Sequence, residues 1–234
     1  MKTETNTHIQ ITFFRFTTSR FWAFKQMLLG PRSLQSQPGL QFFKFLGTGG
    51  GKGFSLWPDF GTYAILTVWD TPNDFTAMVK TNPYWATYMS KASEYRRLDL
   101  IPVHSHGLWS GVNPFAAYQE KSASRSNQNV AVVTRATLRW NRLLSFWRSV
   151  PKAAKTIEGA SGVVFYKGVG EWPWIQQATV SIWHDFEAVH DFAYKNRGHA
   201  DIVQKTKAFK WYKEDLFSRF VIDYDTKFQS TISE

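Results

Sequence analysis

A-I-L-T-V-W-D at residues 64–70 returns as A-T-V-S-I-W-H-D at residues 178–185, with one residue inserted before the aspartate. Each segment is apolar and rich in β-branched residues, reaches a tryptophan, and stops at an acid. That is the pattern of a buried strand running into a helix cap. Working outward, the two halves spell the same order. In the first, residues 9–16 (I-Q-I-T-F-F-R-F) read as a strand, and Ser19 opens a helix through Phe21, Trp22, Phe24, Leu28 and Leu29 that Gly30-Pro31 ends. Residues 40–46 and 61–69 are strands, Asp70-Thr71-Pro72 starts a helix through Phe75, Met78 and Val79, 84–92 is helical, and 98–103 closes as a strand. In the second, 130–138, 162–166, 176–183 and 216–224 read as strands, and 141–150, 185–194 and 199–209 as helices.

Shorter echoes agree: D-F at 74–75 and 185–186, D-L at 99–100 and 215–216. Two β-α-β-β-α-β units imply an α+β fold of two tandem ferredoxin-like repeats, 9–117 and 130–226. The Ser/Asn/Gln-rich segment 118–129 reads as a linker. A four-stranded sheet with helices on one face leaves its other face apolar. The repeats are therefore expected to pack sheet to sheet as an intramolecular α+β barrel with a pocket between the sheets.

Composition narrows the chemistry. With 43% hydrophobic residues in 234, the chain can bury a substantial core. Aromatics reach 17%, with 20 Phe and 11 Trp, an excess that suits a flat or elongated apolar ligand. The formal charge of +10 favours anionic partners such as an acidic redox protein or an acidic lipid surface. The absence of cysteine excludes disulfides, thiolate-ligated haem and thiol catalysis. No run approaches the length of a membrane-spanning helix, and the polar start M-K-T-E-T-N-T-H lacks a secretory apolar core. The expected location is cytoplasmic, at most at the membrane surface.

Several motifs bear on a site. The run G-T-G-G-G-K-G at 47–53 lacks the phosphate-loop pattern and reads as a hairpin connection. Its counterpart G-V-G-E-W-P-W at 168–174 places Glu171, Trp172 and Trp174 beside a tight turn where backbone can approach a ligand. His104 and His106 form H-x-H on a strand, without a neighbouring third ligand. Arg15 and Arg135 belong to the first strands of the two repeats, where an inward arginine needs an anionic partner. Outward positions on the pleat are the alternative. His199 opens a helical pattern with Ile202 and Val203 on the same face, so its imidazole points at apolar surroundings. Such a histidine is either a hydrogen-bonded core or rim residue or an axial haem ligand. Basic residues at Lys205, Lys207, Lys210, Lys213 and Arg219 form a solvated face that could meet a donor protein or lipid headgroups. No nucleic-acid motif and no Ser-His-Asp order is present.

Further segments carry a resemblance: F-R-F at 14–16, R-F-W-A-F at 20–24, F-F-K-F-L-G-T-G at 42–49, Y-A-I-L-T-V-W at 63–69, L-W-S-G at 108–111, P-F-A at 114–116, T-R-A-T at 134–137, G-E-W-P-W-I-Q-Q at 170–177 and W-Y-K-E-D-L-F-S-R-F at 211–220. With these the chain resembles the spheroidene monooxygenase family, acyclic carotenoid 2-ketolases. It is also similar to the haem-binding α+β barrels that include aldoxime dehydratases and chlorite dismutases. The resemblance implies a haem b enzyme that uses dioxygen and reducing equivalents, from a donor such as ferredoxin, to oxidise an acyclic carotenoid such as spheroidene or lycopene at carbon 2. It implies His199 as the iron ligand, with Ile202, Val203 and Arg15 beside the cofactor. Arg135 and Gln176 are the candidates for the catalytic distal side, and Trp172, Trp174 and Phe165 for a substrate channel. A dehydratase or peroxidase-like enzyme on a small substrate, or a non-catalytic carrier of haem or an apolar ligand, are the other expectations open at this point.

Overall fold

The computed structural model describes residues 7–51, 55, 57–116, 128–195, 204–206 and 208–229, with backbone alone at 152–154, 228 and 229. The elements are β1 (His8–Arg15), α1 (Arg20–Leu29), α2 (Pro31–Leu34), β2 (Leu40–Gly49), β3 (Pro58–Trp69), α3 (Pro72–Thr81), α4 (Pro83–Lys91) and β4 (Glu94–Gly107), then β5 (Val130–Leu138), α5 (Leu143–Glu158), β6 (Val163–Trp172), β7 (Gln176–Trp183), α6 (Phe186–Tyr194) and β8 (Tyr212–Gln229). The strand order β1-β3-β2-β6-β7-β5-β8-β4 closes on itself as an antiparallel barrel, so the α+β architecture read from the repeats is present. Two compact units make up the chain: residues 1–48, 59–101 and 222–234, and residues 49–58 and 102–221.

In the first unit β1 lies between β3 and β4, with His8 opposite Trp69 and Ile9 opposite Leu100. Alternation sends Phe14 and Phe16, with Tyr63, Ile65 and Trp69, to one face. There they meet Ala23 of α1, Leu34 of α2, Phe75 and Met78 of α3, and Trp85 and Tyr88 of α4. The rings stack edge to face, Phe14 on Tyr88 at 4.7 Å and Phe16 on Tyr88 at 5.2 Å between centroids. Burial pushes the Tyr88 hydroxyl well above its ordinary pKa. The second unit repeats the plan. Val130, Val132 and Trp183 pack on Ile157 of α5 and Val189 of α6. Leu138 packs with Phe146, Trp147, Val150 and Trp211.

Local chemistry fixes the helix starts. Thr71 is the N-cap of α3, its hydroxyl accepting from the Asp74 amide at 3.2 Å, and Pro72 supplies a pre-set first turn. Asp185 caps α6 by accepting from Ala188 at 2.7 Å. Ser19 occupies the N-cap of α1 but makes no side-chain capping bond. Gly30 is glycine because space demands it: a Cβ there would lie 2.4 Å from the Tyr84 hydroxyl and 2.5 Å from Phe45. β5 and β7 have the bounds read from sequence. Other elements overrun their reading: polar, proline and glycine residues continue the ladder past the apolar run in β2, β3, β4, β6 and β8, and α5 passes through Pro151 to Glu158. The glycine run joins β2 to β3, with the Gly50 amide donating to the Trp57 carbonyl at 2.8 Å. No helix among the described residues is long and apolar enough to cross a membrane.

Asn82 caps α4 by accepting from the Tyr84 and Trp85 amides, and its own amide donates to the Ser33 carbonyl at 3.1 Å. Asn82→Ala removes all three bonds at a buried position. It is expected to lower unfolding stability by about 2 kcal/mol with the fold retained, read from the urea midpoint at unchanged m-value.

Candidate functional site

In the second unit, one face of the sheet is covered by α5 and α6 and carries Val130, Val132, Leu138 and Trp183. The pleat sends alternate residues to the opposite face. Cross-strand pairs Val133–Val180, Arg135–Ala178 and Thr137–Gln176 mark that face on β5 and β7. Leu216 and Ser218 continue it on β8 opposite Arg135 and Val133, and Phe165 on β6 pairs with Ile182. Three residues nominated from sequence, Arg135, Gln176 and Phe165, thus share one face.

Arg135 is the electrostatic centre of this face, its side chain 2% exposed. A buried guanidinium without partners is costly, and two carboxylates supply them. Nη1 donates to Glu214 of β8, which lies diagonally across the ladder, and Nη2 is 3.8 Å from Glu171. The guanidinium carbon also lies 5.8 Å from the centre of the Trp109 ring. Trp109 Nε1 donates to Glu171 at 2.7 Å. Glu214 in turn accepts from the amides of Ser110 at 3.0 Å and Gly111 at 2.8 Å, both residues having positive φ. Burial by itself would raise the Glu214 carboxyl. The Gly111 and Ser110 amides and the Arg135 charge outweigh it, and the net shift is downward. A Cβ on Gly107 would sit 2.2 Å from the Asp215 carbonyl oxygen, so glycine alone lets the chain leave β4 against β8 and deliver residues 108–112 to Glu214.

The segment 170–177 builds the adjoining corner. Gly170 is required by close approach, since a Cβ would lie 2.4 Å from the Gln176 carbonyl oxygen. The register shifts between Val169 and Trp172, a bulge that re-aims the strand beside Glu171. Trp174 sits at the hairpin tip with φ +64°, a strained value for a tryptophan, and its carbonyl accepts from Trp147 Nε1 at 3.0 Å. The side-chain oxygen of Gln176 is buried and has no hydrogen-bond partner among the described residues.

Trp172 and Trp174 are 64% and 50% exposed, whereas Phe165 is half-buried. Arg15 ends β1 with an exposed side chain 3.9 Å from Glu94. By register its counterpart is Thr137, and the counterpart of Arg135 is Phe13, because Phe13 faces Ala64 as Arg135 faces Ala178. His199, Ile202 and Val203 lie outside the described residues. His104 and His106 approach at 3.3 Å, and burial, Arg219 and His106 lower the His104 pKa. Among the described residues no group of three or more His, Cys, Asp or Glu could hold a metal ion. The partners Glu214 and Trp109 were missed in the sequence. Reading β8 from residue 212 would have placed Glu214 two positions from Leu216, on the same face.

No protein-family model matches the chain. Individual proteins do. The chain is 32% identical over 212 residues to spheroidene monooxygenase of Rhodobacter capsulatus, covering 90% of this chain and 88% of that one. It belongs to the spheroidene monooxygenase family. The protein of the same name from Cereibacter sphaeroides is 32% identical over 92% of this chain and 66% of its own length, and that from Rubrivivax gelatinosus 27% over 87% and 77%. Among solved structures, aldoxime dehydratase superposes with a TM-score of 0.58 at 10% identity, over 96% of this chain and 84% of that one, a likeness of fold. As a member of this family the protein is an oxidoreductase of the monooxygenase type.

The described wall fits a flat apolar cofactor with a polar edge. Val133, Ala178 and Val180 are small and apolar, and its polar groups are Thr137, Ser218, Arg135 with its carboxylates Glu214 and Glu171, and the Gln176 oxygen, which has no partner among the described residues. The carboxylate clamp has a pH signature. Glu214 has its pKa depressed below the ordinary 4.5, so its stabilisation is present above that value and is lost as pH falls through the lower, folded-state pKa. Glu214→Gln is expected to destabilise by about 2–3 kcal/mol at pH 7. The gap from wild type should close as pH drops below about 4.5, read from urea midpoints across pH.

Proposed function

We propose that the protein is a haem-dependent ketolase that oxidises an acyclic carotenoid, such as spheroidene or lycopene, at carbon 2, using dioxygen and electrons from a donor such as ferredoxin. The observation that carries this reading is the near full-length likeness to proteins named spheroidene monooxygenase. Haem b would be held by His199, with Ile202 and Val203 as its apolar neighbours. When bound, the haem supplies the activation of dioxygen. The rest falls to the chain.

Gln176 offers a buried side-chain oxygen that no described residue matches. An acceptor left so is matched by a hydrogen-bond donor on whatever binds there. Arg135 is held on two carboxylates and cannot swing freely, so its charge is offset by theirs and its part is to fix Glu214 and Glu171 on this face. Phe165, with Trp172 and Trp174 at the hairpin, presents aromatic surface that suits a polyene, whose recognition rests on area and shape with few polar contacts. Arg15, paired with Glu94 at the end of β1, has no part in this scheme.

Protein expressed with haem supply is expected to show a Soret band that His199→Ala shifts or abolishes. With reduced ferredoxin and dioxygen it should convert spheroidene to a product in which one oxygen replaces two hydrogens. A Soret-free protein, or turnover that needs no electron donor, refutes the reading. Gln176→Leu separates function from folding. Removing an unmatched buried polar atom should leave the urea midpoint unchanged or raise stability by up to about 1 kcal/mol, while turnover falls roughly tenfold or more. A variant that loses both stability and activity would make Gln176 structural.

A further inference from the structure

Helix α1 turns its largest apolar residues away from its own core. Its inward residues are Ala23 and Gln26, with Trp22 and Met27 half-buried. Phe21, Phe24 and Leu28, spaced three and four apart, form a stripe on the outer side and are 71%, 50% and 80% exposed. Phe60 of β3 extends the stripe, 55% exposed and edge-on to Phe24 at 5.8 Å between centroids. Folding does not explain this arrangement, because the buried side of α1 already completes the aromatic core. A contiguous exposed apolar ridge marks a surface that something covers.

Charge identifies what covers it. The sequence of α1, R-F-W-A-F-K-Q-M-L-L, contains no acid, and Arg20, Lys25 and Arg32 are exposed around the ridge. Lys25 arches over Phe21, its Nζ 4.6 Å from the ring centre. We propose that α1 is a docking element that lays Phe21, Phe24 and Leu28 into the surface of an anionic lipid bilayer. A protruding ridge of phenyl and leucyl tips rimmed by cations is what an interfacial helix presents, apolar tips entering the acyl boundary while cations meet headgroup phosphates. A second copy of the chain fits worse. An isologous contact through α1 would set Arg20, Lys25 and Arg32 of one copy against the same cations of the other. An interface between proteins also calls for a matching concavity, which a bilayer does not. This inference goes beyond the ketolase reading and does not depend on it, since docking is measured without turnover.

The probe is co-sedimentation with vesicles of phosphatidylglycerol and phosphatidylcholine, beside vesicles of phosphatidylcholine alone. The protein is expected to bind the anionic vesicles and to lose about tenfold in partition when salt is raised so that surface charges are screened. Phe21→Ser with Leu28→Ser, and separately Lys25→Glu with Arg32→Glu, should each weaken partition roughly tenfold or more, with unchanged thermal unfolding because all four side chains are exposed. Wild-type binding that survives both pairs of substitutions overturns the proposal. So does wild-type protein that ignores both kinds of vesicle. A concentration-dependent dimer that Phe21→Ser with Leu28→Ser abolishes would overturn it in favour of self-association.

Discussion

A guanidinium almost sealed from water, with Glu214 and Glu171 as its counter-charges, constrains the described part of the second unit. A buried ion pair adds little net stability over an apolar replacement, yet removing one member leaves a charge that the interior cannot solvate. The pieces that bring the two carboxylates to Arg135 must therefore be right together. Glu214 needs β8 in register two residues from Leu216. Glu171 needs the bulge between Val169 and Trp172. Residues 110 and 111 need their positive φ to aim amides at Glu214, and Gly107 needs no Cβ. One electrostatic requirement thus explains why the corner is built from glycines, a bulge and two left-handed residues.

The duplication makes this asymmetry visible. Trp69 and Trp183 occupy the same register position in the two sheets, each fully buried under helices, and their strands pair with β1 and β5 alike. Across that shared frame, Phe13 stands where Arg135 stands, and Thr62 where Gln176 stands. The first sheet fills those positions with an aromatic ring and a small hydroxyl, and the second with a fixed cation and an unmatched amide. The polar replacements at these shared positions thus collect in the second sheet.

Much of the frame was legible in the sequence because it rests on local chemistry. The period-two runs, the helix starts at Asp70-Thr71-Pro72 and Asp185, and the matching tryptophan strands are short-range signals, and the observed β5 and β7 keep the bounds they suggest. The strand ends were not legible. Glycines and charged residues in β4, β6 and β8 are held by neighbouring strands and not by their own propensity. Pro151 is a helix breaker on local grounds, but Ile157 beyond it is buried with Val189, and tertiary packing carries α5 through. At the site, the sequence left Arg135 either facing inward, where it would need an anion, or outward on the pleat. It could not show that the anion is a carboxylate 79 residues away, because that pairing exists only once the β5–β8 register is set.

The segment G-E-W-P-W-I-Q-Q illustrates why a run with little periodicity can be so specific. Gly170 admits the Gln176 carbonyl, Glu171 reaches Arg135 and Trp109, and Trp174 accepts a left-handed backbone while its carbonyl anchors α5 through Trp147. A strained non-glycine φ persists only where its surroundings over-determine it. Here the Trp147 bond and the Leu138 amide donating to Ile175 at 2.8 Å hold the turn from both sides. Replacing Trp174 by glycine would relieve the backbone yet discard the indole and loosen the tip. The left-handed tryptophan is thus held by its carbonyl and by the strands on either side of the turn, beside the Gln176 oxygen that no described residue matches.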